Sequence, residues 1–147
     1  MPEKATQQRV EKDRREGKAP STQAGEFVRE EIEHVREGKH GARSSRQAIA
    51  IGLSKARRAG VELPPPREGT VSRRTRRQAV RDARAGARAV SSRRSRAALR
   101  ALTREGRAAA SRNAFSRQGR TAAARRTKQS RSAAARRAAA TRKRRKA

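Results

Sequence analysis

The sequence contains no cysteine, tryptophan or tyrosine, and its only aromatic residues are two phenylalanines. Without cysteine, neither a disulfide framework nor a thiolate zinc site can form. Apolar residues make up 32% of the 147 positions, and alanine supplies many of them. Such a composition cannot bury the core of a typical single domain of this length, so any folded part is predicted to be small.

Long apolar runs are also absent, and no stretch approaches the roughly 18 residues that a membrane-spanning helix needs. The first eight residues lack the apolar segment of a secretory signal, so we expect a cytoplasmic protein. The basic segments described below lack the Trp, Phe and Leu anchors of helices that lie on membrane surfaces. We therefore expect no membrane partner.

Acidic residues are scarce, with 13 Asp and Glu against 42 Lys and Arg, which gives a net charge of +29. The charge is uneven, because residues 1–66 hold 14 basic and 10 acidic side chains and residues 67–147 hold 28 and 3. Three consecutive prolines at 64–66 separate these halves and interrupt any helix between them. The sequence predicts a small helical module over 1–60, a Pro-rich linker over 61–70, basic amphipathic helices over 71–117 and a disordered Arg/Ala-rich tail over 118–147.

The first module reads as a helical hairpin. One helix is predicted to start at Ser21 or Thr22 and to run to Glu37, where Gly38 ends it. Its apolar residues recur at helical spacing, at Phe27, Val28, Ile32 and Val35.

A second helix is predicted from a capping box at Ser44 and Gln47 up to Gly60, and a more polar third helix over 5–16. The predicted fold class is mostly α, with no β-sheet.

Arginines in the second half recur every three or four residues, which places them on one face of a helix. Two such stripes consist of Arg73, Arg77, Arg81, Arg84 and Arg88, and of Arg96, Arg100, Arg104 and Arg107. The predicted apolar sides consist of Val80, Ala83, Ala87 and Val90 in the first helix, and of Ala98, Leu99, Leu102 and Ala109 in the second.

The last thirty residues repeat an Ala- and Arg-rich pattern every eleven residues, at 121–126 and 132–137. Their cations point all around a helix and repel one another, so we predict disorder in the free chain. The candidate binding residues here are Arg125, Arg126, Arg136, Arg137, Arg142, Lys143, Arg144, Arg145 and Lys146.

Rows of guanidinium groups suit rows of phosphates, because each group is a planar fork of donors that stays charged. The net +25 of the second half matches roughly 25 phosphates, or about 43 Å of duplex DNA. Few Asn and Gln accompany the arginines for base reading, and Phe115 is the only aromatic residue there for stacking on single strands. The sequence therefore predicts non-specific binding of duplex DNA by a nucleoid-associated, histone-like protein.

Two alternatives stay open at this point. Structured RNA offers the same phosphates, so a ribosome- or RNA-associated structural protein fits the same residues. A third possibility is a protein-interaction module in which residues 21–60 bind a protein partner and the tail localises it.

Sites for other chemistry are not predicted. Glu30 and His34 stand four residues apart, as metal ligands on a helix do, but such a pair is usually solvated, so we expect no metal. No Ser, His and Asp set and no glycine-rich phosphate loop points to an enzyme or a cofactor.

The helix over 22–37 is acidic, with five Glu against two Arg. Solubility and pairing along the helix explain this charge, for example between Arg29 and Glu33. Alternatively, this helix docks the basic tail of the same or a neighbouring chain and competes with nucleic acid.

Three segments carry a resemblance to known sequences: Ser21-Thr-Gln-Ala-Gly-Glu-Phe-Val-Arg-Glu-Glu-Ile, Arg36-Glu-Gly-Lys-His-Gly-Ala-Arg-Ser, and Arg46-Gln-Ala-Ile-Ala-Ile-Gly-Leu-Ser-Lys-Ala-Arg-Arg-Ala-Gly60. Residues 21–66 resemble a largely uncharacterised family of short basic bacterial proteins with a domain of unknown function built around Gln-Ala-Ile-Ala-Ile. The segment 95–111 is similar to longer members, and the tail resembles bacterial histone-like proteins in composition. Because some members are labelled plasmid-stabilisation or DNA-binding proteins, the resemblance implies a bacterial source and a use in plasmid maintenance; it implies no catalytic residue.

Overall fold

The computed structural model of the protein describes residues 2–86 and 91–146, except for the side chains of Arg145 and Lys146. Within these residues the chain forms α-helices and one 3-10 turn, and no strand. The helices are α1 (Lys4–Arg15), α2 (Pro20–Glu37), α3 (Ser45–Arg58), α4 (Arg73–Ala85), α5 (Ser92–Thr103), α6 (Arg112–Ala124) and α7 (Lys128–Lys146), and the 3-10 turn spans Ala108–Ala110. The predicted fold class, mostly α without a β-sheet, is confirmed for the described residues.

The chain divides into two compact units, Met1–Ser111 and Arg112–Ala147. The predicted Pro-rich linker over 61–70 lies inside the first unit, and the helices on its two sides, α3 and α4, pack against each other. The four-part division stays a prediction about which segments fold independently.

The first unit is built on the predicted hairpin of α2 and α3. The hydroxyl of Ser44 caps α3 by accepting a hydrogen bond from the Gln47 amide at 3.2 Å, as the capping box predicts. Helix α2 ends before Gly38, whose φ of 80° is the left-handed conformation that favours glycine at this position. Its start differs from the prediction, because Pro20 opens the helix and no side chain caps it.

Helices α2 and α3 approach closely at Gly52. A Cβ atom added to Gly52 would lie 2.6 Å from the Cα and 2.9 Å from the backbone nitrogen of Val28 on α2. A glycine is therefore required at this contact between the two helices.

The core also includes segments on either side of the hairpin. Its buried residues are Val10, Ala24, Phe27, Ala56 and Val61, with Leu53 and Leu63 packed against them. Val61 and Leu63 belong to the predicted linker, so the start of that segment is part of the core instead of a spacer. The buried guanidinium of Arg57 holds it by donating to the carbonyls of Leu63 and Pro64.

The packed face of α4 differs from the predicted one. Ala79 and Asp82 are buried, whereas Val80 is half-buried and Ala83 is exposed; Ala87 and Val90 lie outside the described residues. Val80 follows Arg73 by seven residues, nearly two full turns, so it lies on the same side as the arginines and cannot form the opposite face.

Helix α5 has no buried residue. The predicted apolar face is exposed at Ala98 and at Leu99, whose exposed fraction is 50%, and it is half-buried at Leu102. The chain is buried again only beyond this helix, at Ala110.

The tail that we predicted to be disordered is helical in the structure, in the last part of α6 and in α7. Alanine and arginine have high helix propensity, which does not require a buried face. The Thr121 and Thr141 hydroxyls donate to the carbonyls of Arg117 and Arg137 one turn earlier. The side chains of the described residues in α7 are exposed except for Ala133 and Ala134, which are half-buried.

None of the helices in the described part of the chain combines the length and the apolar character that crossing a bilayer requires.

Candidate nucleic-acid interface

The arginine stripe of α4 is exposed to solvent. The helix begins at a Ser72 cap, whose hydroxyl accepts from the Thr75 amide at 3.1 Å. The stripe residues Arg73, Arg77, Arg81 and Arg84 are all exposed, and Arg88 lies outside the described residues. They face away from the side on which Ala79 and Asp82 pack against α3.

Asp82 anchors α4 to α3. Its carboxylate is buried and accepts hydrogen bonds from Ser54 and Arg58 on α3 and from Gln78 on its own helix, at 2.7, 2.9 and 2.9 Å. Burial works to raise the pKa of Asp82, but these hydrogen bonds and the charge of Arg58 outweigh it, so the pKa lies below its usual value. The anchor therefore orients the exposed stripe.

Replacing Asp82 with Ala should lower the free energy of unfolding by about 2–3 kcal/mol, because it removes a buried carboxylate and leaves its donors unpaired. Since the pKa of Asp82 is lowered by folding, its contribution is present above about pH 4 and is lost as the pH falls through the folded pKa. Urea unfolding at pH 7 and at pH 3 measures both effects. The prediction fails if Asp82→Ala is as stable as the wild-type chain at pH 7.

The second stripe is shorter than predicted. Arg96 and Arg100 are exposed on α5, but the helix ends at Thr103, so Arg104 and Arg107 do not continue its face. They remain exposed, and the Arg107 side chain lies against Gly38.

The segment after α5 is docked on the loop between α2 and α3. The amides of Gly41 and Ala42 donate to the carbonyls of Leu102 and Gly106 at 2.9 and 3.1 Å. Arg36 and Ser45 donate to the carbonyls of Ala110 and Ala109 at 2.9 and 2.6 Å. These contacts fix the C-terminal end of α5 and the segment after it to α2, to the loop that follows α2 and to the start of α3.

In the second unit, Arg125 and Arg126 lie between α6 and α7 and are exposed. The exposed candidates on α7 are Arg136, Arg137, Arg142, Lys143 and Arg144. Arg145 and Lys146 belong to α7 by their backbone, and their side chains lie outside the described part of the structure. At 100° per residue these positions surround the helix, as the sequence predicts.

Within the described part of the chain, no ion pair joins any of these candidate cations to a carboxylate. Arg81 donates to Gln78 and Arg142 to a carbonyl of its own helix. The other exposed arginines of these helices include Arg74, Arg76, Arg93, Arg94, Arg112, Arg117, Arg120 and Arg131, which the stripes did not include. Each of the two units therefore carries exposed arginines that no described carboxylate neutralises.

The carboxylates of the acidic helix α2, in contrast, form ion pairs with cations inside the first unit. Glu26 pairs with Arg9, Glu33 with Arg29, and the buried Glu30 and Glu31 with Lys55. The predicted Arg29–Glu33 pair is present at 2.9 Å. Docking of the basic tail on α2 would compete with these pairs, and it stays an untested hypothesis.

Sequence reasoning missed the burial of Glu30, Glu31 and His40, which are all less than a tenth exposed. The spacing contained a signal for Glu31, which lies four residues after Phe27 and four before Val35 on the buried face of α2.

Residues 3–67 match DUF6496, a family of unknown function. No curated protein and no solved structure matches the chain. The family match includes α1, α2 and α3, and the basic helices from α4 onward lie outside it. For the first 67 residues the comparison thus agrees with the expected domain of unknown function.

Proposed function

We propose that the protein binds duplex DNA without sequence specificity, through contacts between the phosphates and the exposed arginines of α4 to α7. In this role it would coat or condense DNA in the cytoplasm as a nucleoid-associated, histone-like protein. The observation that carries the proposal is the set of exposed guanidinium groups that pair with no carboxylate among the residues the structure describes. Free cations at this density attract polyanions. Their binding is favourable because it releases the counterions that are condensed on the polyanion.

The geometry of α7 favours duplex DNA. A helix with its side chains is about 10–12 Å wide, and the major groove of B-DNA is about 12 Å wide. Cations on all sides of α7 could then reach phosphates of both strands at once. The major groove of A-form RNA is deep and narrow, so the same helix is less well accommodated there.

The stripe on α4 is suited to contact with the phosphates of a single DNA strand. Arg84 follows Arg73 by eleven positions, or about 16 Å along the helix axis, on a single exposed side. A one-sided row of arginines fits the outer edge of a groove, where phosphates of one strand lie in sequence. Because both contacts are made to phosphates, base identity would contribute little to the affinity.

Fluorescence anisotropy of the full chain with labelled DNA tests the proposal across a range of salt concentrations. If about ten phosphates are contacted, log Kobs should fall with log salt with a slope of about −9. Two duplexes of unrelated sequence should bind equally, and a single strand should bind more weakly. Lack of binding at low salt would contradict the proposal.

A double-stranded RNA of the same length is the necessary comparison. Tighter binding to RNA than to DNA would contradict the preference for duplex DNA and favour an RNA- or ribosome-associated protein. Plasmid maintenance, which rests on the resemblance alone, would be one biological use of the DNA binding; retention of a plasmid without selection would test it.

A further inference from the structure

A cluster of two histidines and a glutamate lies at the C-terminal end of α2, away from the arginine stripes. Glu31 and His34 are three residues apart on α2, and His40 follows in the loop before α3. One ring nitrogen of each histidine and one carboxylate oxygen of Glu31 lie within 4.8 Å of one another. The exposed side-chain fractions of Glu31, His34 and His40 are 0, 14 and 8%.

The carboxylate of Glu31 has unsatisfied acceptors. Both of its oxygens are buried and accept no hydrogen bond, which is rare for a buried polar group. Lys55 Nζ lies 2.8 Å from Oε2 and provides charge compensation without the geometry of a hydrogen bond. Oε1 faces Nε2 of His40 at 3.4 Å. Neither Lys55 nor His40 therefore provides a hydrogen bond to the oxygens of this carboxylate.

The hydrogen bonds of the two histidines leave one nitrogen of each ring free. Nδ1 of His40 lies 3.1 Å from the Gly41 carbonyl, which can only accept, so Nδ1 carries the hydrogen. In the neutral ring, Nε2 then presents a lone pair to the Glu31 carboxylate. His34 uses Nε2 to donate to Glu3 at 2.8 Å, which leaves Nδ1 with the lone pair.

Metal-binding histidines characteristically donate their other ring N–H to a carboxylate or a backbone carbonyl. Both partners are present here, as Glu3 for His34 and Gly41 for His40. Two groups that offer lone pairs to each other in a buried site repel each other unless a proton or a cation lies between them.

We propose that Glu31, His34 and His40 form a binding site for a divalent transition-metal ion of the zinc type. The 3.4 Å between Glu31 Oε1 and His40 Nε2 is close to the edge of a tetrahedron with metal–ligand bonds of 2.0–2.1 Å, which is about 3.3 Å. Imidazole nitrogens select zinc and its neighbours over magnesium or calcium. The three side chains leave a fourth position to water.

The local charge suits a cation despite the large positive charge of the chain. Glu30 and Glu31 face the single ammonium of Lys55, so these buried groups sum to one negative charge when the histidines are neutral. Glu3 and Lys39, which pair at 2.9 Å beside His34, cancel each other. Within the described residues, no hydrogen bond or ion pair joins an arginine of α4 or α5 to Glu31, His34 or His40.

The metal would connect α2 to the loop that carries Gly41 and Ala42. That loop receives the segment after α5 through two backbone hydrogen bonds. Binding should therefore stabilise the first unit and the docking of this segment, and it does not depend on the proposed DNA binding.

The test is a titration of the untagged full chain, treated with chelator, with Co²⁺ and then with Zn²⁺, in moderate salt and without nucleic acid. We expect a visible Co²⁺ absorption of tetrahedral type that saturates at one equivalent and is displaced by Zn²⁺, and a higher melting temperature with Zn²⁺. Because the chain has two histidines and no cysteine, the ring signals of both histidines should shift together in NMR spectra.

Glu31→Gln and His40→Asn should each weaken Zn²⁺ binding by more than about 100-fold. Loss of a group that only hydrogen-bonds to a metal ligand costs less, roughly 10–100-fold. Glu33→Gln, on the exposed side of the same helix, is the matched control and should bind as the wild type does. If a variant fails to fold, the histidine signals of the wild-type chain decide the question. The proposal is overturned if Zn²⁺ leaves either histidine signal unmoved, or if both folded variants retain the wild-type affinity.

Discussion

Replacing five cations of α7 with glutamine, at Arg136, Arg137, Arg142, Lys143 and Arg144, is expected to remove a large part of the DNA affinity. If all five contact phosphates, the slope of log Kobs against log salt becomes shallower by about 4.5. If the five contacts contribute nothing at 1 M salt, the variant should bind about 3 × 10⁴-fold more weakly than the wild type at 0.1 M salt. Glutamine keeps the helix propensity of arginine and lysine, so the change is one of charge and not of secondary structure.

The matched control removes the same charge from the first unit. It replaces five exposed cations with glutamine, at Lys12, Arg14, Arg15, Arg43 and Arg46. The salt slope should then remain close to that of the wild type, because these residues lie outside the proposed interface. Equal losses in the two variants would show that net charge alone drives binding and would contradict the assignment to α7. Anisotropy titrations at four or more salt concentrations give the slopes.

Gly52→Ala is expected to destabilise the hairpin of α2 and α3 strongly. The new Cβ would lie 2.6 Å from Val28 Cα and 2.9 Å from its nitrogen, and backbone atoms can yield only if α2 and α3 move apart. Overpacking of this kind costs typically 1–3 kcal/mol, and we expect the upper end because the clash is with backbone. The melting temperature of the first unit should fall by roughly 10 °C.

Gly25→Ala is the control for the helix propensity of alanine. A Cβ at Gly25 on α2 meets no atom within 4 Å. This substitution should raise the free energy of unfolding by about 0.5–1 kcal/mol, since glycine is a weak helix former. Scanning calorimetry of both variants measures the difference. A Gly52→Ala chain as stable as Gly25→Ala would contradict the close packing of the hairpin.

The local features of the fold were predictable from neighbouring residues. The Ser44 hydroxyl caps the Gln47 amide at the start of α3, and Gly38 ends α2, because each signal acts within a few residues of the helix end. The exposure of the arginine stripe on α4 also agrees with its spacing, since charged guanidinium groups are seldom buried without partners.

Features that depend on distant residues were not predictable in the same way. Val61 looked like part of a linker, and its burial depends on Val10 and Phe27. The role of Asp82 comes from Ser54 and Arg58 on α3, which lie more than twenty residues earlier in the chain. The tail is helical and not disordered for a local reason. The helix propensity of its alanines and arginines outweighs the repulsion between its cations.

By itself the sequence determined the helical class, the end of α2, the start of α3 and the concentration of positive charge in the second half. These properties follow from residue type, spacing and short-range hydrogen bonds. Only the tertiary structure decided that α4 packs through Ala79 and Asp82 and that Glu31 meets His40 in a buried cluster. Both depend on which helix faces are brought together, and burial against another element is a property of pairs of segments far apart in the chain.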